Sequence, residues 1–193
     1  MNPHDTDSDK QALITTGSIV TKPIVLVGMM GAGKTSIGSR LAMALDIPFW
    51  DADDEIEKAA QLSIPEIFEQ HGETYFRDGE RRVIARLINN GPCIIATGGG
   101  AFMAEETRKT ISQEGLSIWL RAPLDELVRR VKRKPNKRPL LKGGKVKEKI
   151  SKLLNERAPF YELADHIIDS ENSDHEAIVD SIIVFLKNQQ AGI

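Results

Sequence analysis

What this chain has little of narrows its reading first. Its 193 residues include one cysteine, Cys93, which excludes an internal disulfide and fits a reducing compartment. That thiol lies in the apolar run CIIAT and reads as a small buried hydrophobe. No apolar run approaches ~20 residues, so the sequence offers no membrane-crossing helix. Neither sign of charge dominates: 26 Lys and Arg against 28 Asp and Glu leave a net charge of −2. Bulk electrostatics therefore argue against nucleic-acid binding. Histidine is scarce, and His71, His166 and His175 show no metal-ligand spacing. With Trp50 and Trp119, which fall in apolar strands, they read as structural. The opening stretch MNPHDTDSDKQ lacks the basic start and apolar core of a secretion signal. We expect a cytoplasmic protein with a flexible tail over residues 1–21 and a single domain over 22–193.

The remainder alternates short apolar runs with helical patterns. PIVLVG, IPFWD, PCIIAT, LSIWLRA and HIIDS read as strands. GKTSIGSRLAMAL, PLDELVRRVKR and HEAIVDSIIVFLKNQQ read as helices, as does KEKISKLLNERAPFYELA until Pro159 disturbs it. The rhythm predicts an α/β fold, a five-stranded parallel sheet with helices on both faces. Two segments depart from it. The helical piece from Ser63 to Asn90, interrupted near His71 and Gly72, is too long for a simple crossover and marks a substrate-binding insert of about residues 51–90. The region of about residues 133–147 has the charge, proline and glycine of an exposed lid. Such inserts are where substrate contacts usually lie.

Gly28, Gly33, Lys34 and Thr35 match G-x-x-x-x-G-K-[ST], with a strand before and a helix after. Glycines let the backbone wrap an anion, and the helix N-terminus adds a favourable dipole. Gly31, Ala32, Gly33, Lys34, Thr35 and Ser36 are the expected phosphate contacts. Lys34 reaches the outer phosphates, and the Thr35 hydroxyl is placed for Mg²⁺. This loop fixes the donor as a nucleotide and leaves the acceptor open.

No acid follows CIIAT, where many such folds place the second magnesium contact. The acids instead follow the second strand, in WDADDEIE. In extended backbone the two-residue spacing sends Asp51 and Asp53 the same way. One carboxylate then serves Mg²⁺ and the other a substrate hydroxyl. The competing reading is that these acids cap the next helix, a task for which Asp54 and Glu55 are better placed.

The order GMMGAGKT, DADDEIE, FRDGE, ATGGG, KRPLL, NERAPFYELAD resembles the shikimate kinases over almost the whole chain, from about Pro23 to Leu186. The resemblance implies a monomer with a nucleoside-monophosphate-kinase-like P-loop fold. It implies transfer of the ATP γ-phosphate to the 3-hydroxyl of shikimate, a step toward chorismate and the aromatic amino acids. It also assigns roles. Asp51 organises Mg²⁺, and Asp53 binds the acceptor hydroxyls and acts as base. Arg77 and Arg157 hold the carboxylate, and Gly99 contacts substrate through its backbone. Arg138 comes from the lid to the ATP phosphates, and Arg133 is similar to the family's adenine-stacking arginine.

The residues support this beside the resemblance. A small polyhydroxylated carboxylate calls for guanidinium groups, whose planar fork binds a carboxylate through two hydrogen bonds. Arg77 lies at the edge of the buried face made by Phe76, Val83, Ile84 and Leu87, and Glu80 is spaced to fix it. The triple glycine Gly98 to Gly100 permits close backbone approach, or marks a bulge. RRVKRKPNKR, Arg129 to Arg138, carries seven cations and no aromatic for base stacking, so lid closure over ATP fits better than nucleic acid. A gluconate or nucleotide kinase and a nucleotide switch are the rivals. A guanine-specific N-K-x-D is absent.

Overall fold

The computed structural model describes residues 19–133, 145–170 and 174–191. Five short strands form one parallel sheet: β1 (Ile24–Val27), β2 (Phe49–Asp51), β3 (Ile94–Ala96), β4 (Leu116–Arg121) and β5 (His166–Asp169). Their order across the sheet is β2-β3-β1-β4-β5. Every residue of β1 and β3 is buried, as expected of strands covered on both faces. Their continuous apolar runs, rather than alternating ones, are the sequence trace of that double burial.

Among the described residues seven α-helices connect and cover the strands: α1 (Lys34–Leu45), α2 (Ala52–Ala60), α3 (Ile64–Ile88), α4 (Glu105–Glu114), α5 (Leu124–Lys132), α6 (Val146–Tyr161) and α7 (His175–Ala191). Register brings the strand ends level. Leu26 pairs with Ala96, and Ala96 pairs with Asp51. The loops after β1 and β3, and the acid ending β2, therefore open onto one crevice at the carboxyl edge of the sheet, where ligands of open α/β sheets bind.

Several expectations shift. Val20 is buried and Ile19 packs on the core, so the folded body begins before the expected end of the tail at residue 21. α4 has no counterpart in the sequence reading, because EETRKTISQE buries only Thr107 and Ile111 and shows no apolar stripe. α6 runs through Pro159 to Tyr161. Proline there forfeits a single intrahelical bond near the helix end, and packing of the helix outweighs that loss. Within α3 the interruption stands where it was expected: Gly72 adopts φ 81° and ψ 176°, splitting the helix. A capping box between Ser63 and Glu66 starts the first piece. The second piece buries Phe76, Val83, Ile84 and Leu87 and so fixes the orientation of Arg77. Cys93 is buried, as its run implied.

Most of the expected lid, residues 134–144, lies outside the described residues, and Arg138 with it. At its edges Arg133 caps α5 and Lys147 already belongs to α6. No helix among the described residues is long and apolar enough to cross a membrane.

Candidate active site

The loop between β1 and α1 turns on three glycines with positive φ: Gly28 at 131°, Gly31 at 84° and Gly33 at 100°. At Gly28 a Cβ would stand 2.7 Å from the Leu120 carbonyl, so glycine is required by space as well as by torsion. Lys34 is buried, and its Nζ donates to the carbonyls of Gly28 (2.7 Å) and Met29 (2.9 Å). From α5, Arg130 donates to the carbonyls of Ala32 (3.1 Å) and Gly31 (3.4 Å), and to that of Ser170 (3.3 Å). Four loop carbonyls thus face cations. Ala32, expected to contact phosphate, is fully buried, and its N–H donates to the Met29 carbonyl (3.1 Å). The loop spends that amide on its own turn.

Asp51 ends β2 and is the N-cap of α2. Its Oδ1 accepts from the Asp53 N–H (3.1 Å) and its Oδ2 from the Thr35 hydroxyl (2.7 Å). Two sequence expectations change here. Only Asp51 is extended, at φ −95° and ψ 117°, whereas Asp53 lies in the first turn of α2. Capping falls to Asp51 rather than to Asp54 or Glu55, because an N-cap needs extended torsions and a side chain folded back on the next amides. Glu55 instead pairs with Lys58 (2.6 Å) and with Arg86 of α3 (3.0 Å). Asp53 still reaches the crevice. Burial, reinforced by Asp51 and Glu80 and opposed by Lys34, pushes its carboxyl up to about 6.

The triple glycine after β3 is where four charged side chains converge. A Cβ on Gly98 would lie 2.7 Å from Glu80 Oε1 and 2.9 Å from Asp53 Oδ1. One on Gly99 would lie 3.3 Å from Arg157 Nη1, and one on Gly100 would lie 2.6 Å from both Nη atoms of Arg77. Two carboxylates and two guanidinium groups therefore press on three consecutive residues, and any side chain there would displace them. Glu80 is buried and grips Arg77 at 2.6 Å, as the three-residue spacing implied. Its other oxygen, Oε1, has no hydrogen-bond partner among the described residues. Desolvation holds the Glu80 carboxyl above its usual range, against the pull of Arg77 and Arg157. Arg157 is buried too and donates to the Gly99 carbonyl (3.0 Å). Among the described residues no carboxylate pairs with it.

A cleft of about 590 Å³ joins these parts, within the range of small-molecule sites. Gly31, Gly33, Lys34, Thr35 and Ser36 form one wall, and Asp51, Asp53, Thr97, Gly98 and Gly99 another. Its far end is lined by Glu126, Arg129, Arg130, Arg133, Asp174 and His175. Arg77 and Arg157 do not line this volume; Arg157 adjoins it through Gly99, and Arg77 lies against the next residue, Gly100. His175, read from sequence as structural, stands in the cleft, whereas His166 stacks on Phe185 and His71 makes a tilted ring contact with Tyr75. In the sequence Arg130 has no role beyond its place in the basic run. Its signal was positional, three residues after the buried Leu127 and one before the buried Val131, on the face of α5 turned to the loop.

The same chemistry appears in known proteins. A family model described as Shikimate kinase matches residues 30–187. A shikimate kinase of Rhodopseudomonas palustris is 54% identical over 165 residues, covering 86% of this chain and 81% of its own. One of Bradyrhizobium diazoefficiens is 53% identical over 171 residues, covering 89% and 82%. The solved structure of a shikimate kinase from Acinetobacter baumannii in complex with shikimate superposes with a TM-score of 0.85 at 34% identity, covering 90% of this chain and 98% of that one. With phosphate loop, acid pair and twin arginines gathered on one crevice, and with relatives at this level of identity over most of its length, the chain belongs to the shikimate kinase family of ATP-dependent kinases.

Proposed function

We propose that this chain transfers the γ-phosphoryl group of ATP directly to the 3-hydroxyl of shikimate, with donor and acceptor held on opposite walls of the one cleft. The observation that carries the acceptor side is Arg157. Among the described residues no carboxylate lies within 4.0 Å of this buried guanidinium, which is costly unless a ligand supplies the anion. The carboxylate of shikimate supplies it, with Arg77 beside it on Gly100. Glu80 holds Arg77 at the angle for that fork.

On the donor wall the amides of Gly31 and Gly33, with Lys34 and Ser36, receive the phosphates. Arg138, which lies outside the described residues, is assigned to the same phosphates by the family resemblance. The donors at the Thr35–Asp51 contact are hard oxygens, one hydroxyl and one carboxylate, which suits Mg²⁺. Among the described residues no group of three or more acidic, His or Cys side chains is arranged to hold a metal. Magnesium needs none, since it usually takes one or two protein carboxylates and fills its sphere with phosphate oxygens and waters. When bound there it neutralises charge on the phosphates and orients them.

Asp53 lines the same cleft as the loop and accepts the reacting hydroxyl's hydrogen bond. A carboxyl held near 6 is ionised at neutral pH and can take the proton as the bond to phosphorus forms. Phosphoryl transfer through a loose transition state asks little basicity, so the alignment it imposes carries most of its effect. We infer a monomeric, cytoplasmic enzyme without nucleic-acid or membrane partners, consistent with its balanced charge.

The test is ATP consumption against a panel of acceptors. Shikimate should support turnover, whereas gluconate and nucleoside monophosphates should not. Phosphorylation of either of those without shikimate turnover would overturn the assignment.

A further inference from the structure

We propose that Tyr161 is a positioning residue for this reaction: its hydroxyl and Arg157 together hold the Gly99 carbonyl, and so hold the acceptor wall against the phosphate loop. The proposal rests on the acceptor reading of Gly99 and Arg157 given above.

Tyr161 is the last residue of α6 and is fully buried. Burying a hydroxyl costs free energy unless it is hydrogen-bonded, and packing alone would be served by phenylalanine. This hydroxyl donates to the Gly99 carbonyl. Arg157 donates to the same oxygen at 3.0 Å. A carbonyl oxygen has two lone pairs, and both are taken. The convergence depends on α6 continuing through Pro159, since Arg157 and Tyr161 are four residues apart and share a face only in unbroken helix.

Holding that oxygen sets the whole peptide plane between Gly99 and Gly100, because the trans peptide is rigid and its N–H points opposite to its carbonyl. Gly100 lies directly against the Arg77 guanidinium, so a rotated plane would disturb the carboxylate clamp. On the donor side the Tyr161 hydroxyl sits 3.8 Å from Met29 Sδ, within the phosphate loop. Its ring lies 5.6 Å from the Trp119 ring, and Trp119 in turn fills the space under Gly28. One side chain therefore touches both the triple glycine and the phosphate loop. Burial pushes the phenol up to about 12, so it stays a donor throughout the working pH range.

Tyr161→Phe in the full chain removes only the hydroxyl. We expect kcat/KM for shikimate to fall about tenfold, as loss of one positioned hydrogen bond does. The Kd for ADP with Mg²⁺ should stay within about twofold and Tm within about 5 °C. An unchanged kcat/KM would overturn the proposal. So would parallel loss of nucleotide affinity and Tm, which marks a packing role alone. A second readout does not depend on that variant folding. The chain has two tyrosines, and Tyr75 is exposed, so 3-fluorotyrosine in a Tyr75→Phe background gives one fluorine signal at Tyr161. Shikimate alone should shift that signal, and an unmoved signal under saturating shikimate overturns the proposal. If the wild-type chain itself failed to bind shikimate, the acceptor reading would fall, and the control identifies that case separately.

Discussion

The Thr35 hydroxyl donates to Asp51 at 2.7 Å, and through that contact the helix of the phosphate loop is tied to the acid ending β2. The same carboxylate caps α2 through its other oxygen. The cap and the proposed magnesium contact therefore fall on one side chain and are separable by mutation.

Asp51→Asn keeps a side-chain oxygen for the cap and loses the charge. Tm should change little, while the Mg²⁺ concentration for half-maximal activity rises at least about tenfold. Asp51→Ala should lose the cap as well, costing about 1 kcal/mol in denaturant unfolding. A magnesium titration of Asp51→Asn that matches wild type would remove Asp51 from the metal site.

Asp53 gives a pH dependence of known sign. Its carboxyl is held near 6 in the folded chain, above the usual carboxylate range. Between about pH 4 and 6 the folded state binds more protons than the unfolded one, so this group's contribution to stability falls as pH rises. Above about pH 6 the full penalty is present, at most about 3 kcal/mol. Asp53→Asn should thus be more stable than wild type at pH 7.5 and no more stable at pH 4, read by thermal unfolding at both values. It should retain nucleotide binding and lose most turnover.

The wild-type profile follows from the same ionisation. If the carboxylate accepts the hydroxyl's hydrogen bond, kcat/KM for shikimate falls about tenfold per pH unit below about 6. A flat profile from pH 7 to 5 would contradict that role.

Two glycine substitutions should separate site from scaffold. In Gly100→Ala the new methyl meets the Arg77 guanidinium at 2.6 Å, a flexible group that can retreat. KM for shikimate should rise about tenfold or more with Tm nearly unchanged. In Gly38→Ala the methyl meets the Phe49 ring at 2.7 Å inside the core. Stability should fall by about 1–3 kcal/mol, with KM for shikimate unchanged in the folded fraction. Kinetics and unfolding curves of the two variants decide it.

Much of this was legible in the sequence because the signals are local. The phosphate loop is a contiguous motif, strands buried on both faces read as apolar runs, and Arg77 and Glu80 are neighbours on one helix. Where the reading failed, the controlling contact was distant. Asp51 became the cap because β2 stops after three residues, which no two-residue spacing reveals. Pro159 did not end α6, because tertiary packing outweighs one missing hydrogen bond. Arg130 looked like one more charge in a basic run until β1 and α5 were brought together. Tyr161 carried no sequence signal beyond its place four residues after Arg157.

The central claim is that donor and acceptor are recognised by separate groups on the two walls of one cleft. Calorimetric titration of wild type and Arg157→Ala, with shikimate alone and with ADP and Mg²⁺, tests it most directly. The account predicts that Arg157→Ala weakens shikimate at least about tenfold, as expected when one partner of a charge-assisted pair is removed, and leaves the nucleotide within about threefold. Unchanged shikimate affinity, or equal loss of both ligands, would contradict it.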